Sequence, residues 1–289
     1  GKCYLNNQPV FLRFVLDQGF YEDGIWTAPD DNALRRDIEL SMKAGFNGAR
    51  LHQKIFDERF HYWADRLGYL TWAEYPSWGI SFWQHFGKTN PNYNLTFRDY
   101  LAEWTALVER DTNHPSIIAW TPLNETCGYH DLEEHRRIIA DVYDLTRTLD
   151  STRPVNDTSG YIHVKTDLWT VHTYHQTDEE LSSALNQSPV FMHYPEVEAE
   201  AYHGQPYLMD EYGGVGFIPE NRKPYADNSW GYNGARSINP DVADFAAAAA
   251  PLKGGDGDGA STLQSHCFVA VDNGPAHNEA VKNFIQYVI

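Results

Sequence analysis

The sequence predicts an α/β chain closed into a (β/α)8 barrel, and three observations carry that prediction. Short β-rich apolar runs alternate with amphipathic helical stretches through seven units before residue 215, the pattern of a parallel sheet jacketed by helices. Gly45 and Gly68 stop the first two helical stretches where a strand must follow. Asp17, His52, Glu74, Glu125, His172 and Glu211 each fall where a strand hands over to the next loop, and that end of the strands is where such barrels carry their sites. The whole chain, 1–289, reads as one barrel with an atypical closing segment.

Residues 1–8 form a lead-in strand, and Pro9 to Leu16 forms the first barrel strand, ending at the turn Asp17-Gln18-Gly19. Ala28-Pro29-Asp30-Asp31 starts a helix whose apolar stripe is Leu34, Ile38 and Met42. Phe46 to Leu51 is strand two. The next helix carries Phe60, Trp63, Ala64 and Leu67 on one face, and Tyr69 to Glu74 is strand three. A Trp- and Gly-rich loop, Tyr75 to Asn94, precedes a helix with Phe97, Tyr100, Leu101, Trp104, Leu107 and Val108 in phase. Ile117-Ile118-Ala119-Trp120 is too short for a helix and reads as buried strand four, ending near Asn124 and Glu125. Leu132 to Leu149 is the fourth helix, Pro154 to Asp157 and Leu168 to His172 are strands five and six, and a helix starts near Thr177. Tyr207 to Asp210 is strand seven.

Composition narrows the function classes. With 22 Lys plus Arg against 40 Asp plus Glu the formal net charge is −18, the wrong sign for nucleic acid or an anionic membrane. No stretch approaches the roughly 18 apolar residues of a membrane span, and no leader sequence is evident, so a soluble chain of unassigned compartment is expected. Three scattered cysteines, Cys3, Cys127 and Cys267, give neither a disulfide framework nor a metal spacing. No spacing calls for a metal or another cofactor. Aromatic residues reach 14%, and aromatics with a polar handle suit amphipathic ligands such as sugars.

Glu125 and Glu211 end strands four and seven, which face each other across the mouth of an eight-stranded barrel. Two carboxyls flanking one cavity suit glycoside hydrolysis, in which one protonates the leaving oxygen and the other attacks carbon or activates water. Asn113-His-Pro-Ser-Ile-Ile-Ala-Trp120 with Asn124-Glu125, Asp210-Glu211-Tyr212-Gly213, Phe46-Asn-Gly-Ala-Arg-Leu-His52, Trp63-Ala-Asp-Arg-Leu-Gly68 and Thr152-Arg-Pro-Val155 stand in order along the chain. Together they resemble the catalytic barrel of glycoside hydrolase family 2, from about Gly1 to Tyr232. The resemblance implies a retaining exo-β-glycosidase acting on terminal β-linked sugars, galactosides first, through a covalent glycosyl-enzyme. It makes Glu125 the acid/base and Glu211 the nucleophile, puts Asn124 on the sugar 2-hydroxyl and sets Tyr174 beside the nucleophile. It also lines the sugar site with Asp17, Arg50, His52 and His172. Trp72, Trp78 and Trp83 of the Trp-rich stretch, with Trp230, are candidates for a sugar-stacking platform, and Trp72, within a strand, reads better as core. Among residues alone, Arg50 has a second reading, as the ion-pair partner of a strand-end carboxylate.

The C-terminal part departs from that family. Residues 246–262, with Ala246 to Ala250 and Gly254-Gly-Asp-Gly-Asp-Gly259, read as a low-complexity linker. Residues 263–289 read as strand eight (Cys267 to Val271) and a last amphipathic helix carrying Ala280, Val281, Phe284, Ile285 and Val288. The family's usual domains before the barrel have no counterpart here. A non-catalytic or truncated carbohydrate-binding barrel is therefore the alternative function, and a metal hydrolase using His52, His172 and His175 is a distant third. No oligomeric state follows from the sequence.

Overall fold

The computed structural model describes residues 3–21, 24–79, 96–126, 132–175, 178–186, 192, 201–213 and 269–270. The chain opens not on a single lead-in strand but on a hairpin, β1 (Cys3–Leu5) antiparallel to β2 (Gln8–Val10). Asn6 and Asn7 make its turn with φ of 51° and 63°, a left-handed pair that asparagine tolerates and that matches the twist of a hairpin. The expected first strand is thereby split. Between β2 and β3 (Phe14–Asp17) the Asn47 side chain takes the place of a ladder, donating to the Phe11 carbonyl at 2.8 Å and accepting from Arg13 N–H at 2.8 Å.

β3, β4 (Gly48–Leu51), β5 (Leu70–Glu74) and β6 (Ile117–Thr121) form one parallel sheet in that order. Helices α1 (Asp31–Lys43), α2 (Glu58–Leu67) and α3 (Phe97–Asp111) make the crossovers. The sheet continues through a parallel bridge from Trp120 to Val155 and through β7 (Leu123–Asn124) beside β8 (Thr158–Ser159). Strand four is interrupted at Pro122, which has no N–H to give a ladder. After α4 (Leu132–Leu149) come β9 (Trp169–Thr173), α5 (Asp178–Leu185) and β10 (Tyr207–Tyr212), with β9 and β10 parallel. Strand then helix thus recurs around the barrel as expected. β11 (Val269–Ala270), inside the segment read as strand eight, pairs with β10 but antiparallel, opposite in direction to a barrel's eighth strand. The readings of the 246–262 linker and of the last helix lie outside the described residues.

Helix ends follow local chemistry. Asp30 caps α1 by accepting from Ala33 N–H at 2.8 Å, and Thr96 with Asp99 forms a capping box at α3. Gly68 ends α2 in the left-handed region, φ 71°, where a side chain would be strained. The α1 stripe differs from expectation at one position. Met42 is 40% exposed, while Ser41 is buried and bonds Tyr69 Oη at 2.7 Å. At about 100° per residue, Ser41 returns to the azimuth of Leu34 and Met42 overshoots it.

Apolar side chains divide by strand parity. Leu12, Phe14, Leu70, Trp72, Ala119, Leu168 and Leu208 fill the barrel interior. Val15, Ala49 and Leu51 face outward onto Leu34, Ile38 and Phe60 of α1 and α2, and Ala73, Ile117 and Trp120 face α3 and α4, the β6 alternation being reset between Ile117 and Ala119 by a register shift against β5. This alternation decides which polar strand-end residues can reach the mouth. No helix among the described residues is long and apolar enough to cross a membrane.

Candidate active site

The motifs around strand four work first as scaffolding. Asp65 of α2 accepts from Ser116 N–H at 2.9 Å and bonds His114 Nδ1 at 2.6 Å, which fixes the entry to β6. Arg153 donates to the carbonyls of Ile117 and His114 at 2.7 and 2.9 Å and pairs with Asp150. Asp150 in turn accepts from Trp120 Nε1 at 2.9 Å. These contacts hold β6 and β7 so that Asn124 and Glu125 emerge at the C-terminal end. Glu125 itself has φ of 49°, a left-handed backbone that a glutamate adopts only where its surroundings impose it. Its N–H donates to the Ser159 carbonyl at 2.9 Å, which locks that turn.

Glu211 reaches the same place from β10. The register shifts between Met209 and Glu211, a bulge that re-aims side chains. Asp210 and Glu211, adjacent in sequence, consequently both meet Arg50 inside the barrel: Arg50 Nη1 lies 3.5 Å from Asp210 Oδ2, and Nη2 donates to Glu211 Oε1 at 2.8 Å. Arg50 also donates from Nε to Glu74 Oε2 at 2.7 Å and from Nη2 to Asn124 Oδ1 at 2.7 Å. The charges of Glu74, Glu211 and Asp210 outweigh the burial of the guanidinium and raise its pKa, so it is a permanent cation. Burial works against the Glu74 charge, but Arg50 and His52 overcome it and lower that carboxyl below its usual range.

The two predicted carboxylates are brought together. His172 Nδ1 bonds Glu125 Oε1 at 2.7 Å and lies 3.4 Å from Glu211 Oε2. An oxygen of Glu125 and one of Glu211 lie within 4.8 Å of each other. Tyr174 Oη donates to Glu211 Oε2. Asn124 is fully buried, and its Nδ2 has no partner among the described residues, although its Oδ1 is fixed by Arg50. An orphaned buried amide beside two carboxylates invites a ligand oxygen. His52 lies 3.0 Å from Glu74 Oε1 and 3.8 Å from Glu211 Oε1, with the Trp78 ring edge-on at 5.7 Å. Trp72 packs inside the barrel, its Nε1 donating to Thr121 Oγ1 at 2.6 Å.

Asp17 is the exception. It follows Val15 in parity and so points away from the mouth, toward the first loop and α1. Its Oδ1 accepts from Gly19 N–H at 2.8 Å, and burial raises its pKa against the pull of that bond and of Lys54. Its carboxylate adds to the burial that pushes Asp37 of α1 up to about 7. Asp17 therefore anchors a loop and does not join the cluster; the break after β2 had hidden its parity. Trp230 and Trp83 lie outside the described residues. The residues that sequence reasoning missed are Ser159, which bonds both His172 Nε2 (3.0 Å) and Asp210 Oδ2, and Asp210, whose inward turn depends on the bulge. No periodicity announces either.

Glu125, His172 and Glu211 each offer one donor atom within the span a metal ion needs. Burial opposes a charge on His172, but Glu211 and Asp210, with hydrogen bonds to Asp210 and Glu125, raise its pKa to about 10. A ring protonated on both nitrogens donates hydrogen bonds and has no lone pair for a metal.

Comparison with known proteins places this geometry. The family model for the TIM barrel domain of glycosyl hydrolases family 2 matches residues 1–218. A putative beta-glucuronidase of Formosa agariphila is 29% identical over 159 residues, which are 53% of this chain and 18% of that protein. A beta-galactosidase of Vibrio cholerae is 27% identical over 171 residues, 55% of this chain and 15% of that one. The chain thus spans less than a fifth of the length of these two relatives. Among solved structures, beta-glucuronidase 3 of Bacteroides uniformis superposes with a TM-score of 0.57 at 20% identity, covering 74% of this chain and 26% of that one, a likeness of fold. The match over 1–218 and the strand-end carboxylates on that fold show that the chain belongs to glycosyl hydrolases family 2, as its TIM barrel domain.

Proposed function

We propose that the chain is the catalytic barrel of a retaining β-glycosidase, with Glu125 as acid/base and Glu211 as nucleophile. The observation that carries the reading is the approach of the two carboxylates to within 4.8 Å. Retaining enzymes keep their carboxyls about 5–5.5 Å apart, whereas inverting ones leave about 6.5–9.5 Å for a water. Their hydrogen-bond partners differ. Glu211 faces the Arg50 cation and the Tyr174 hydroxyl, which favour an ionised nucleophile. Glu125 accepts only from His172 among the described side chains.

In the first step the Glu125 proton passes to the glycosidic oxygen as the C1–O bond breaks, and a Glu211 oxygen bonds C1. In the second, water attacks C1, its proton goes to Glu125, and the Glu211–C1 bond breaks. Asn124 Nδ2 would donate to the 2-hydroxyl, a contact that strengthens as charge develops at C1. His52 would line the wall of the sugar site.

For the sugar, a neutral hexoside such as a galactoside fits the described mouth better than a uronide. Glu74, Glu125, Asp210 and Glu211 crowd the cavity, and Arg50 is consumed by three of them and by Asn124. Lys54, the next cation along the chain, bonds the carbonyls of Gly19 and Trp26 at 2.6 and 2.7 Å. A panel of nitrophenyl β-glycosides tests the reading. Wild type is expected to turn over one or more of them, with Glu125→Gln and Glu211→Gln each lowering kcat/KM by about 10³-fold or more. Unchanged activity in both variants would refute it, and tight sugar binding without turnover would favour a binding barrel.

A further inference from the structure

Among the described residues His172 reaches both proposed catalytic carboxylates, and its seat is built around the ring. Gly160 has φ of +93°, and a Cβ there would come within 2.4 Å of the imidazole at Cε1 and Nε2. Only a residue without a side chain lets the ring lie so close. Tyr161 closes the other side at 5.6 Å between ring centroids. Behind the ring, Nε2 meets Ser159 Oγ at 3.0 Å and Asp210 Oδ1 at 3.3 Å, and Ser159 ties itself to Asp210 as well. The residue is 1% exposed, so little of it is open to a sugar. Its Nδ1 face is turned to Glu125 Oε1, at 2.7 Å. Among the described residues, the charged and titratable groups around it include Tyr161, Glu125 from β7, Asp210 and Glu211 from β10 and, beyond Glu211, Arg50 from β4 and Tyr174 after β9.

This arrangement has a consequence for the proton. Nδ1–H occupies Glu125 Oε1, so a proton on Glu125 resides on Oε2. When that proton leaves, the Glu211 charge is drawn into its bond to C1, and the new carboxylate lies across the ring from Asp210. Without a neighbouring cation, that like charge would oppose the step.

We propose that His172 is a positioning residue that confines the Glu125 proton to Oε2 and steadies the carboxylate once the proton has gone, with Asp210, Ser159 and Gly160 fixing the imidazole. This rests on reading Glu125 as the acid/base. His172 keeps both of its protons throughout: Oε2 alone gives a proton to the leaving oxygen and regains one from water. The raised pKa of the ring, to about 10, accords with a cation held across the working range.

Two measurements test it. In the full chain, His172→Asn keeps a neutral donor near Nδ1 but loses the charge. The basic limb of kcat/KM against pH, which reports the acid in the free enzyme, is expected to move up by about one pH unit, since an opposite charge at this range shifts a carboxyl by about 1–3. A limb that stays in place, with activity lowered equally at every pH, would mean that His172 only fills space and would overturn the proposal. Nitrogen NMR of the imidazole gives a readout independent of turnover. Both nitrogens are expected to remain protonated from pH 6 to 8, and Asp210→Asn is expected to lower the ring's midpoint. A wild-type midpoint near 6.5 would overturn the proposal. Turnover with an unmoved limb removes this role alone. No turnover of any glycoside by the wild type removes the glycosidase reading, and this role with it.

Discussion

Arg50 shows how one buried side chain organises a site. With no exposure to solvent, it ties Glu74, Asp210 and Glu211 to one guanidinium and fixes the Asn124 amide by its oxygen. Removing it leaves buried carboxylates without their cation, and breaking such a pair costs about 3–5 kcal/mol. Arg50→Ala is expected to lower the unfolding free energy by that amount, read by equilibrium urea unfolding, and to abolish turnover. Arg50→Lys is expected to retain more stability than activity, because an ammonium cannot fork across three acceptors. Of the two readings of Arg50 available from sequence, the ion-pair one describes its contacts. At this scale Glu125 and Glu211 were legible because a carboxylate at the end of an apolar run is conspicuous. Asp17 was equally conspicuous and yet turned outward, because its direction depends on strand parity across residues 11–13, where Asn47 replaces the ladder. Ser159 was illegible, since a serine at a strand end is ordinary.

Elements follow the same rule: legible where chemistry is local, hidden where it is tertiary. The caps at Asp30 and Thr96 and the stop at Gly68 are written in neighbouring residues, and each appears where chain chemistry puts it. The bulge in β10 arises in its pairing with a strand distant in sequence, and no window of residues contains it; the break at Pro122, by contrast, follows from the proline's own missing N–H. Gly68→Ala is expected to cost about 1–2 kcal/mol, the penalty of a left-handed alanine, measurable as a lowered urea midpoint with the slope unchanged. Two helices also carry buried histidines. Burial lowers His61 of α2 to about 4 and His135 of α4 to about 3, each from an ordinary 6.5. A depressed histidine is neutral in both states above pH 6.5, and below it the unfolded chain binds the proton first. Stability is expected to fall as pH drops from 6.5 toward 4. His61→Gln and His135→Gln should flatten that slope in chemical denaturation at stepped pH.

Across the whole molecule, seven strand–helix units were enough to anticipate a barrel, and the formal charge of −18 bears on what it accepts. An anionic sugar meets both the acidic mouth and this long-range field. A β-glucuronide is expected to show kcat/KM at least about tenfold below the β-galactoside at low salt. That gap should narrow as ionic strength rises and the Debye length shortens to about 8 Å or less. A glucuronide preferred at all salt concentrations would reverse the substrate assignment and leave the mechanism standing. The proposed mechanism rests on two carboxylates, from β7 and β10, meeting across one imidazole. The measurement that tests it most directly is mass spectrometry of the chain after incubation with a slow, 2-fluorinated β-glycoside. A single glycosyl adduct located on Glu211, absent from Glu211→Gln and still formed by Glu125→Gln with an activated leaving group, is the predicted result. An adduct on any other residue, or turnover to an inverted sugar with no adduct, would contradict it.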